Sequence, residues 1–153
     1  MVFEDSVTIH APAPEVWDRL LDVNCIAACM PGVEEVVQID ERTFDGVINA
    51  SVGPIAGKFS FRAHIVESDP PRAMRAEVEG TDSVTKSTVR TEMAMTLDPV
   101  GERATELSYR AEVDVKGRLA ILGEMVLRAT TALMVGEFTK RLRQQLEGAK
   151  GMM

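Results

Sequence analysis

Histidine and cysteine, the side chains most often used for acid–base, nucleophilic or metal chemistry, are scarce in this chain of 153 residues. The two cysteines, Cys25 and Cys29, are four residues apart, a spacing that brings both thiols to one face of a helix. No histidine or third cysteine lies nearby in the sequence to complete a zinc site. The spacing therefore favours a reduced, metal-free pair of small side chains, with Cys29 buried just before Pro31, over a redox or metal centre.

The two histidines, His10 and His64, fall on the polar side of alternating segments, where an exposed ring is the simpler interpretation. The glycine-containing stretch at residues 52–57 (Val-Gly-Pro-Ile-Ala-Gly) is not a phosphate-binding loop, because it lacks the Lys-Ser/Thr pair of that motif. Neighbouring carboxylates such as Glu34-Glu35 fall in turns or on solvent faces, where nothing would hold one of them protonated. These patterns argue against histidine, phosphate-transfer and paired-carboxylate chemistry.

Two polar side chains stand on otherwise apolar strand faces and are the remaining candidates for chemistry. Tyr109 lies on the apolar side of the last alternating segment, and Thr91 falls between Val89 and Met93. A hydroxyl at either position packs in the core, orients a bound molecule or serves as a catalytic acid. The sequence favours the first two roles over the third.

The element that must position any binding site is the last long one, residues 121–146, which the periodicity predicts as a single helix. About 26 residues at 1.5 Å rise would span roughly 39 Å, enough to cross a whole sheet. The first apolar face has residues at three- and four-residue spacings: Leu122, Met125, Val126, Ala129 and Leu133. A second set continues this face, rotated around the axis: Val135, Phe138, Leu142 and Leu146. So broad an apolar surface predicts a helix held in the curve of a sheet.

The chain before this helix opens with a strand and two short helices. Residues 1–10 alternate between apolar and polar side chains, as in a strand with one buried face. Pro14 suits the first position of the first helix, and either Asp22 or Asn24 caps the second. The Pro-Gly pair at residues 31–32 ends that second helix.

Six further alternating segments are predicted as strands, at residues 33–39, 43–52, 58–67, 74–79, 89–97 and 107–115. Short turns join them, which favours an antiparallel meander with one wet face. The predicted fold class is therefore α+β: a single domain over residues 1–153, with a seven-stranded curved antiparallel sheet wrapped around a long C-terminal helix.

Four short stretches carry a more specific signal than this order of elements. They are residues 29–32 (Cys-Met-Pro-Gly), 52–59 (Val-Gly-Pro-Ile-Ala-Gly-Lys-Phe), 69–72 (Asp-Pro-Pro-Arg) and 115–123 (Val-Lys-Gly-Arg-Leu-Ala-Ile-Leu-Gly). Together with the order of elements, they resemble the CoxG family of carbon monoxide dehydrogenase subunits, within the START-like helix-grip (SRPBCC) superfamily. The resemblance covers nearly the whole chain and implies the helix-grip fold, with two short helices after the first strand.

This resemblance implies a non-catalytic accessory protein of molybdenum-containing carbon monoxide dehydrogenases or related hydroxylases, which aids membrane recruitment or electron transfer to quinone. Helix-grip proteins commonly hold an apolar small molecule, so the expected ligand is a quinone or lipid-like molecule, with no covalently bound cofactor. Relatives with this fold include cyclases and dehydratases, which leaves a polyketide cyclase-like enzyme as an alternative. A pure assembly protein without any ligand is a third hypothesis.

The predicted ligand site lies between the last helix and the sheet, with its entrance near the second short helix. Its residues are Ile26, Met30, Phe59, Phe61, Met74, Met93, Met95, Tyr109, Leu122, Met125, Val126, Ala129 and Leu133. Nine methionines in the chain suit an adaptable cavity, because the side chain is flexible and polarizable. The same residues would also fill an ordinary core, and composition does not separate the two.

The net charge of −7 argues against nucleic acid as a partner. Residues 1–10 lack the pattern of a signal peptide, and no window approaches the roughly 18 apolar residues of a membrane span. The expected location is the cytoplasm, with peripheral contact at the inner face of the membrane as a further expectation. A basic cluster, Lys140, Arg141, Arg143 and Lys150, either complements the negative helix terminus or meets an anionic membrane or acidic partner.

Overall fold

The computed structural model describes residues 1–52, 55–82 and 84–148 and contains a seven-stranded antiparallel sheet and three α-helices. The strands are β1 Val2–Ile9, β2 Val33–Asp40, β3 Thr43–Val52, β4 Ile55–Asp69, β5 Ala73–Asp82, β6 Ser87–Gly101 and β7 Ala104–Lys116. The helices are α1 Ala13–Leu20, α2 Val23–Cys29 and α3 Glu124–Arg143. A 3-10 turn, Arg118–Leu122, precedes α3, and a π-helical turn, Gln144–Gly148, follows it. This order confirms the predicted helix-grip class.

The strands follow the order β1-β7-β6-β5-β4-β3-β2, so β1 and β2 are the two edges of the sheet. The two longest strands, β4 and β6, extend beyond their predicted bounds to 15 residues each. Each contains a register shift, between Ile65 and Glu67 in β4 and between Pro99 and Gly101 in β6. Such bulges bend a strand and increase its twist, which gives the sheet its curvature.

The two short helices begin and end close to the predicted positions. The Asp22 carboxylate accepts a hydrogen bond from the Asn24 N–H at 2.8 Å, so Asp22 is the residue that caps α2. Cys25 and Cys29 are both buried, and Cys29 has no exposed surface, as predicted. Three residues of the sequence analysis lie outside the described residues: Gly53 and Pro54 of the stretch 52–59, and Lys150 of the basic cluster.

The prediction of one continuous helix over residues 121–146 is wrong at its start, where Gly123 separates the 3-10 turn from α3. Gly123 has φ of +88°, a left-handed conformation that favours glycine because it lacks a Cβ. A Cβ placed there would meet no atom within 4 Å, so backbone conformation rather than crowding requires glycine. The break leaves residues 118–122 as a separate 3-10 turn before α3.

The predicted sheet-facing side of α3 is also wrong for three residues. Met125 and Leu133 are 85% and 76% exposed, and Ala129 is exposed as well. Leu127, which is 9% exposed, lies on the opposite side of the helix and packs into the interior. Leu142, from the second predicted apolar set, is buried as expected, at 1% exposed. Apolar residues surround much of this helix, so spacing alone did not identify the side that is buried.

Two threonines explain why the buried side was hard to recognise. Thr130 and Thr131 interrupt the apolar pattern of the sequence next to Leu127. Their hydroxyls donate hydrogen bonds to the carbonyls of Val126 and Leu127 at 3.0 and 2.9 Å. Because each hydroxyl is satisfied within the helix, both side chains can stand at a half-buried position without a further partner.

The interior divides into two clusters at opposite ends of α3. The first joins α1, α2, the sheet and the C-terminal end of α3, and includes Val16, Trp17, Met74, Met95 and Leu142. The second joins the 3-10 turn to the N-terminal end of α3, through Leu119, Phe59 and Leu127. The helix is thus held at both ends by packing.

Candidate functional site

A groove with a volume of about 780 Å³ runs between α3 and the edge strand β1. The sheet side of the groove is formed by Val2, Phe3, Glu4, Asp5, Ser6, Val7 and Tyr109. The helical side is formed by Arg128, Ala132, Val135, Gly136, Thr139, Lys140, Arg143, Gln144 and Glu147. Concave sites of this size commonly hold small molecules.

The groove exists because α3 presents small side chains to β1. Ala132, Gly136 and Thr139 line it from the helix, and a Cβ added at Gly136 would meet no atom within 4 Å. The larger side chains Leu127 and Phe138 point elsewhere, into or against the two interior clusters. The helix therefore rests on those clusters and leaves open space on the side of β1.

Two arginines of α3 bridge the groove at its ends. Arg128 donates a hydrogen bond to the carbonyl of Val2 at 3.1 Å, and its guanidinium lies 5.2 Å from the centre of the Phe3 ring. Arg143 donates two hydrogen bonds to the carbonyl of Thr8, from Nε at 3.1 Å and from Nη2 at 2.6 Å. These two arginine bridges are separated by roughly 20 Å, at about 3.3 Å per strand residue. They set the length of the opening between them.

The middle of the groove combines an apolar wall with two polar side chains. Phe3 and Val7 lie on the strand side and Val135 on the helix side. Asp5 and Tyr109 are directly opposite each other in the pairing of β1 with β7, and both line the groove. Among the described residues, the Tyr109 hydroxyl has no hydrogen-bond partner. It is therefore available to a bound molecule.

Burial in the groove wall, and secondly the negative charge of Asp5, raise the pKa of Tyr109 above its ordinary value. Tyr109 is the only tyrosine in the chain, so the ultraviolet absorbance of phenolate reports it alone. We expect its titration midpoint to lie higher in the folded protein than in guanidinium chloride, and Asp5→Asn to lower the folded midpoint. Because the folded pKa is raised, any stability linked to this group is present below the unfolded pKa and is lost as pH rises through the folded pKa. Equal midpoints in the folded and unfolded protein would contradict this placement.

The cysteine pair is not part of the groove. The two sulfur atoms are 3.7 Å apart within the first interior cluster. Burial, and secondly the hydrogen bond with Cys25, raise the pKa of the Cys29 thiol to about 12. A thiol with so high a pKa is not a nucleophile near neutral pH.

One predicted ligand-binding residue, Tyr109, lines the groove. Three others, Phe59, Met74 and Met95, are buried in the interior clusters. Ile26 packs against the first cluster, and Leu122 and Val126 pack against the second. Phe61, Met93 and Met30 are half-buried. Contact of any of these residues with a ligand stays a prediction.

Met125, Ala129 and Leu133 lie on the outer side of α3 and do not face the sheet, contrary to the prediction. In their place, Ala132, Val135 and Gly136 face the groove. The sequence held one signal for this side, the pair of small residues at helical i, i+4 spacing, Ala132 and Gly136. A second signal was Asp5, a charged residue on the otherwise apolar side of β1.

The outer face of the sheet holds a second, wider depression of about 1040 Å³. Half of its eighteen lining residues are charged, and they include the ion pairs Arg62–Asp45 at 2.7 Å and Arg90–Glu79 at 3.3 Å. Desolvating these groups would cost free energy without apolar burial in return. Of the two depressions, the groove beside α3 is therefore the better site for an apolar molecule.

No set of three or more His, Cys, Asp or Glu side chains in the described part of the chain is arranged to hold a metal ion. No helix within the described ranges is long and apolar enough to cross a membrane.

Residues 6–147 match the model of the CoxG family, which is described as a subunit of carbon monoxide dehydrogenase. No curated protein matches the chain. Among solved structures, a conserved protein from Geobacillus kaustophilus is similar with a TM-score of 0.90 at 21% identity, covering 97% of each chain. A START superfamily protein from Mycobacterium smegmatis gives a TM-score of 0.75 at 12% identity, covering 97% of this chain and 98% of that one. The Zhui aromatase/cyclase from Streptomyces sp. R1128 gives 0.73 at 17% identity, covering 96% and 93%. These likenesses show the START-like fold.

Proposed function

Since this chain belongs to the CoxG family of carbon monoxide dehydrogenase subunits, we propose that it is a non-catalytic accessory protein that binds an apolar small molecule in the groove between β1 and α3. The observation that carries the proposal is the groove itself, about 780 Å³ of open space beside apolar side chains. Most ligand sites of small molecules are concave, largely apolar and equipped with a few polar groups.

The lining suggests the kind of molecule. Phe3, Val7 and Val135 offer apolar contact, and burial of apolar surface stabilises a complex by about 25 cal/mol per Å². The unpartnered hydroxyl of Tyr109 can donate a hydrogen bond to a carbonyl oxygen. A quinone has both features, an apolar body and carbonyl acceptors. We therefore propose a quinone or lipid-like ligand, with Tyr109 orienting its polar end.

The proposed partner is a molybdenum-containing carbon monoxide dehydrogenase or a related hydroxylase, in the cytoplasm. The family supports this assignment. The bound quinone would accept electrons from such an enzyme and be reduced to the quinol, or the carrier would bring the enzyme to the membrane where quinone dissolves. Co-purification of the tagged chain with a molybdenum hydroxylase from its native cells would test the partnership.

Peripheral membrane contact is supported by the outer side of α3 and the turn before it. Ile121, Met125 and Leu133 are exposed by 83%, 85% and 76%. Arg118 in the 3-10 turn and Lys140, which also lines the groove, form no ion pair with another described residue. An apolar stripe with unpaired cations suits an anionic bilayer surface.

Co-sedimentation with vesicles of anionic lipid tests the membrane contact. Met125→Glu and Leu133→Glu should each reduce the bound fraction, because a carboxylate replaces an inserted apolar side chain. Val37→Glu is the matched control, since Val37 is 49% exposed on the distant edge strand β2. Equal binding of all variants, or no binding at low salt, would remove this part of the proposal.

A small-molecule enzyme is the second candidate, and the pairing of Asp5 with Tyr109 in the groove favours it. A carboxylate and a phenol side by side can act as base and acid on a carbonyl compound. Turnover of a polyketide-like substrate that is lost in both Asp5→Asn and Tyr109→Phe would support this function. A pure assembly protein, the third hypothesis, predicts neither turnover nor ligand.

Mass spectrometry of an organic extract tests the ligand directly. The protein is purified from its native cells without detergent, and the extract is compared with that of the variant Ala132→Trp prepared in the same way. We expect a quinone or lipid-like molecule from the parent and much less from the variant. If the parent yields no such molecule and also fails to bind added quinone, the carrier function is wrong.

A further inference from the structure

We propose that the free edge of β1 is a docking site for an extended segment of a partner protein, which adds to the sheet as a further strand beside α3. The segment alternates apolar side chains, which enter the groove, with basic side chains on the outer face. This inference goes beyond the proposed small-molecule function and does not depend on it.

The pairing of β1 with β7 determines which main-chain groups reach the free edge. Met1 and Val113 exchange two hydrogen bonds, of 2.9 and 2.8 Å, so they are a hydrogen-bonded pair of the antiparallel ladder. Hydrogen-bonded pairs recur at every second residue. By the register, the main-chain N–H and C=O groups of Phe3, Asp5 and Val7 therefore point toward β7. The main-chain groups of the residues between them point away from the sheet.

The main-chain groups of this edge have hydrogen-bond partners at its two ends but not in its middle. The carbonyls of Val2 and Thr8 accept hydrogen bonds from the arginine bridges, and the N–H of Ser6 donates to the Asp5 carboxylate at 2.8 Å. The N–H and carbonyl of Glu4 and the carbonyl of Ser6 have no partner among the described residues. A row of unpaired donors and acceptors is a template for another strand.

The opposite edge of the sheet differs from this one. β2 has register shifts between Val33 and Glu35 and between Gln38 and Asp40, and α2 packs beside it. Bulges and covering elements are common protections against strand addition. β1 is paired without any shift over residues 2–9. Its regular backbone is therefore suited to strand addition.

Charge selects the chemistry of the partner. The Glu4 side chain lies on the outer face beside β7, where it accepts a hydrogen bond from Arg110. Arg110 also donates to Glu112 at 2.9 Å, so one cation stands between two carboxylates. This cluster beside the free edge therefore keeps a net negative charge that a basic side chain of the added strand would neutralise. A second copy fits poorly, because β1 carries Glu4 and Asp5 without a basic residue and each chain has a net charge of −7. The inner side of the site offers the space beside Ala132 and Gly136, which suits apolar side chains.

The test uses ligand-free protein and a fluorescent peptide of alternating lysine and valine, about five residues long, enough to cover residues 3–7 between the two arginine bridges. Fluorescence anisotropy measures its affinity. Glu4→Pro removes an N–H that points to the free edge rather than to β7, a position where a strand tolerates proline. Glu4→Ala is the matched control, because it removes the carboxylate and keeps the N–H. We expect Glu4→Pro to weaken binding about tenfold or more, and Glu4→Ala to weaken it much less.

A second peptide makes the test independent of the folding of Glu4→Pro. It carries N-methyl groups on alternate amides, which blocks hydrogen bonding with β1 and keeps every charge. We expect it to bind about tenfold or more weakly than the parent peptide. Equal affinity of the two peptides would mean that charge attraction alone holds the peptide, without main-chain hydrogen bonds to β1. That result would overturn the proposal. Absence of binding by the parent peptide would also overturn it, as would a homodimer in sedimentation velocity that Glu4→Pro dissociates.

Discussion

Replacement of Leu142 by alanine is expected to lower the free energy of unfolding by about 2 to 5 kcal/mol. Leu142 is 1% exposed and packs in the first interior cluster, where α1, α2 and the sheet meet the end of α3. Truncation there removes apolar contacts and leaves a cavity that the surrounding helices and strands cannot fully close. Urea denaturation, with the midpoint and slope both fitted, measures the change.

Leu133→Ala is the matched control, because it deletes the same atoms from a side chain that is 76% exposed on the same helix. We expect a change within about 0.5 kcal/mol. Equal losses in the two variants, or a larger loss at Leu133, would mean that α3 buries the side first predicted from its spacing. The described orientation of the helix would then be wrong.

Ala132→Trp is expected to abolish ligand binding while the protein stays folded. Ala132 lines the groove on the helix side and is itself exposed, so an indole there would occupy the space meant for the ligand rather than overpack the interior. Isothermal titration with a quinone that has a short alkyl tail measures the loss. We expect the affinity to fall at least about a hundredfold, since most of the apolar contact area is blocked.

The neighbouring substitution Leu133→Trp introduces the same side chain on the outer side of α3, away from the groove. It should leave the affinity within about threefold of the parent, because it contacts none of the groove lining. If Leu133→Trp lost binding and Ala132→Trp kept it, the ligand would lie on the outer side of α3. The groove would then not be the binding site. Thermal melting of both variants controls for misfolding.

The sheet was predictable from the sequence because strand periodicity identifies the buried side directly. In β4 and β5, Phe59 and Ala76 each lie between two polar neighbours, and both are buried. Each second residue of a strand points to the same face, so a single alternating segment fixes its own orientation. Strand ends were less predictable, because the bulge between Pro99 and Gly101 lets β6 continue past a proline.

The orientation of α3 could not be obtained in the same way. Apolar residues occur on several sides of this helix, and only packing against the second interior cluster selects Leu127 for burial. Side-chain hydrogen bonds within the helix at Thr130 and Thr131 then make polar residues acceptable beside it. These effects depend on tertiary contacts, and a periodic pattern contains no information about them.

The groove was only weakly indicated by the sequence, for a related reason. It lies between the first strand and the last helix, and its position follows from β1 being an edge of the sheet rather than from any local motif. Tyr109 was identified as a polar residue on an apolar face, which is a local signal. Phe3 and Val135 were not identified as groove residues, because nothing near them in sequence shows that they face each other across an open space.

Chemical-shift mapping by two-dimensional NMR, with a short-tailed quinone added to the isotope-labelled protein, tests the central claim most directly. If the groove binds the molecule, the largest shifts will cluster on both of its sides, at Phe3, Val7, Tyr109 and Val135. Shifts confined to Met125 and Leu133 on the outer side of α3, or no shifts at saturating quinone, would contradict the account.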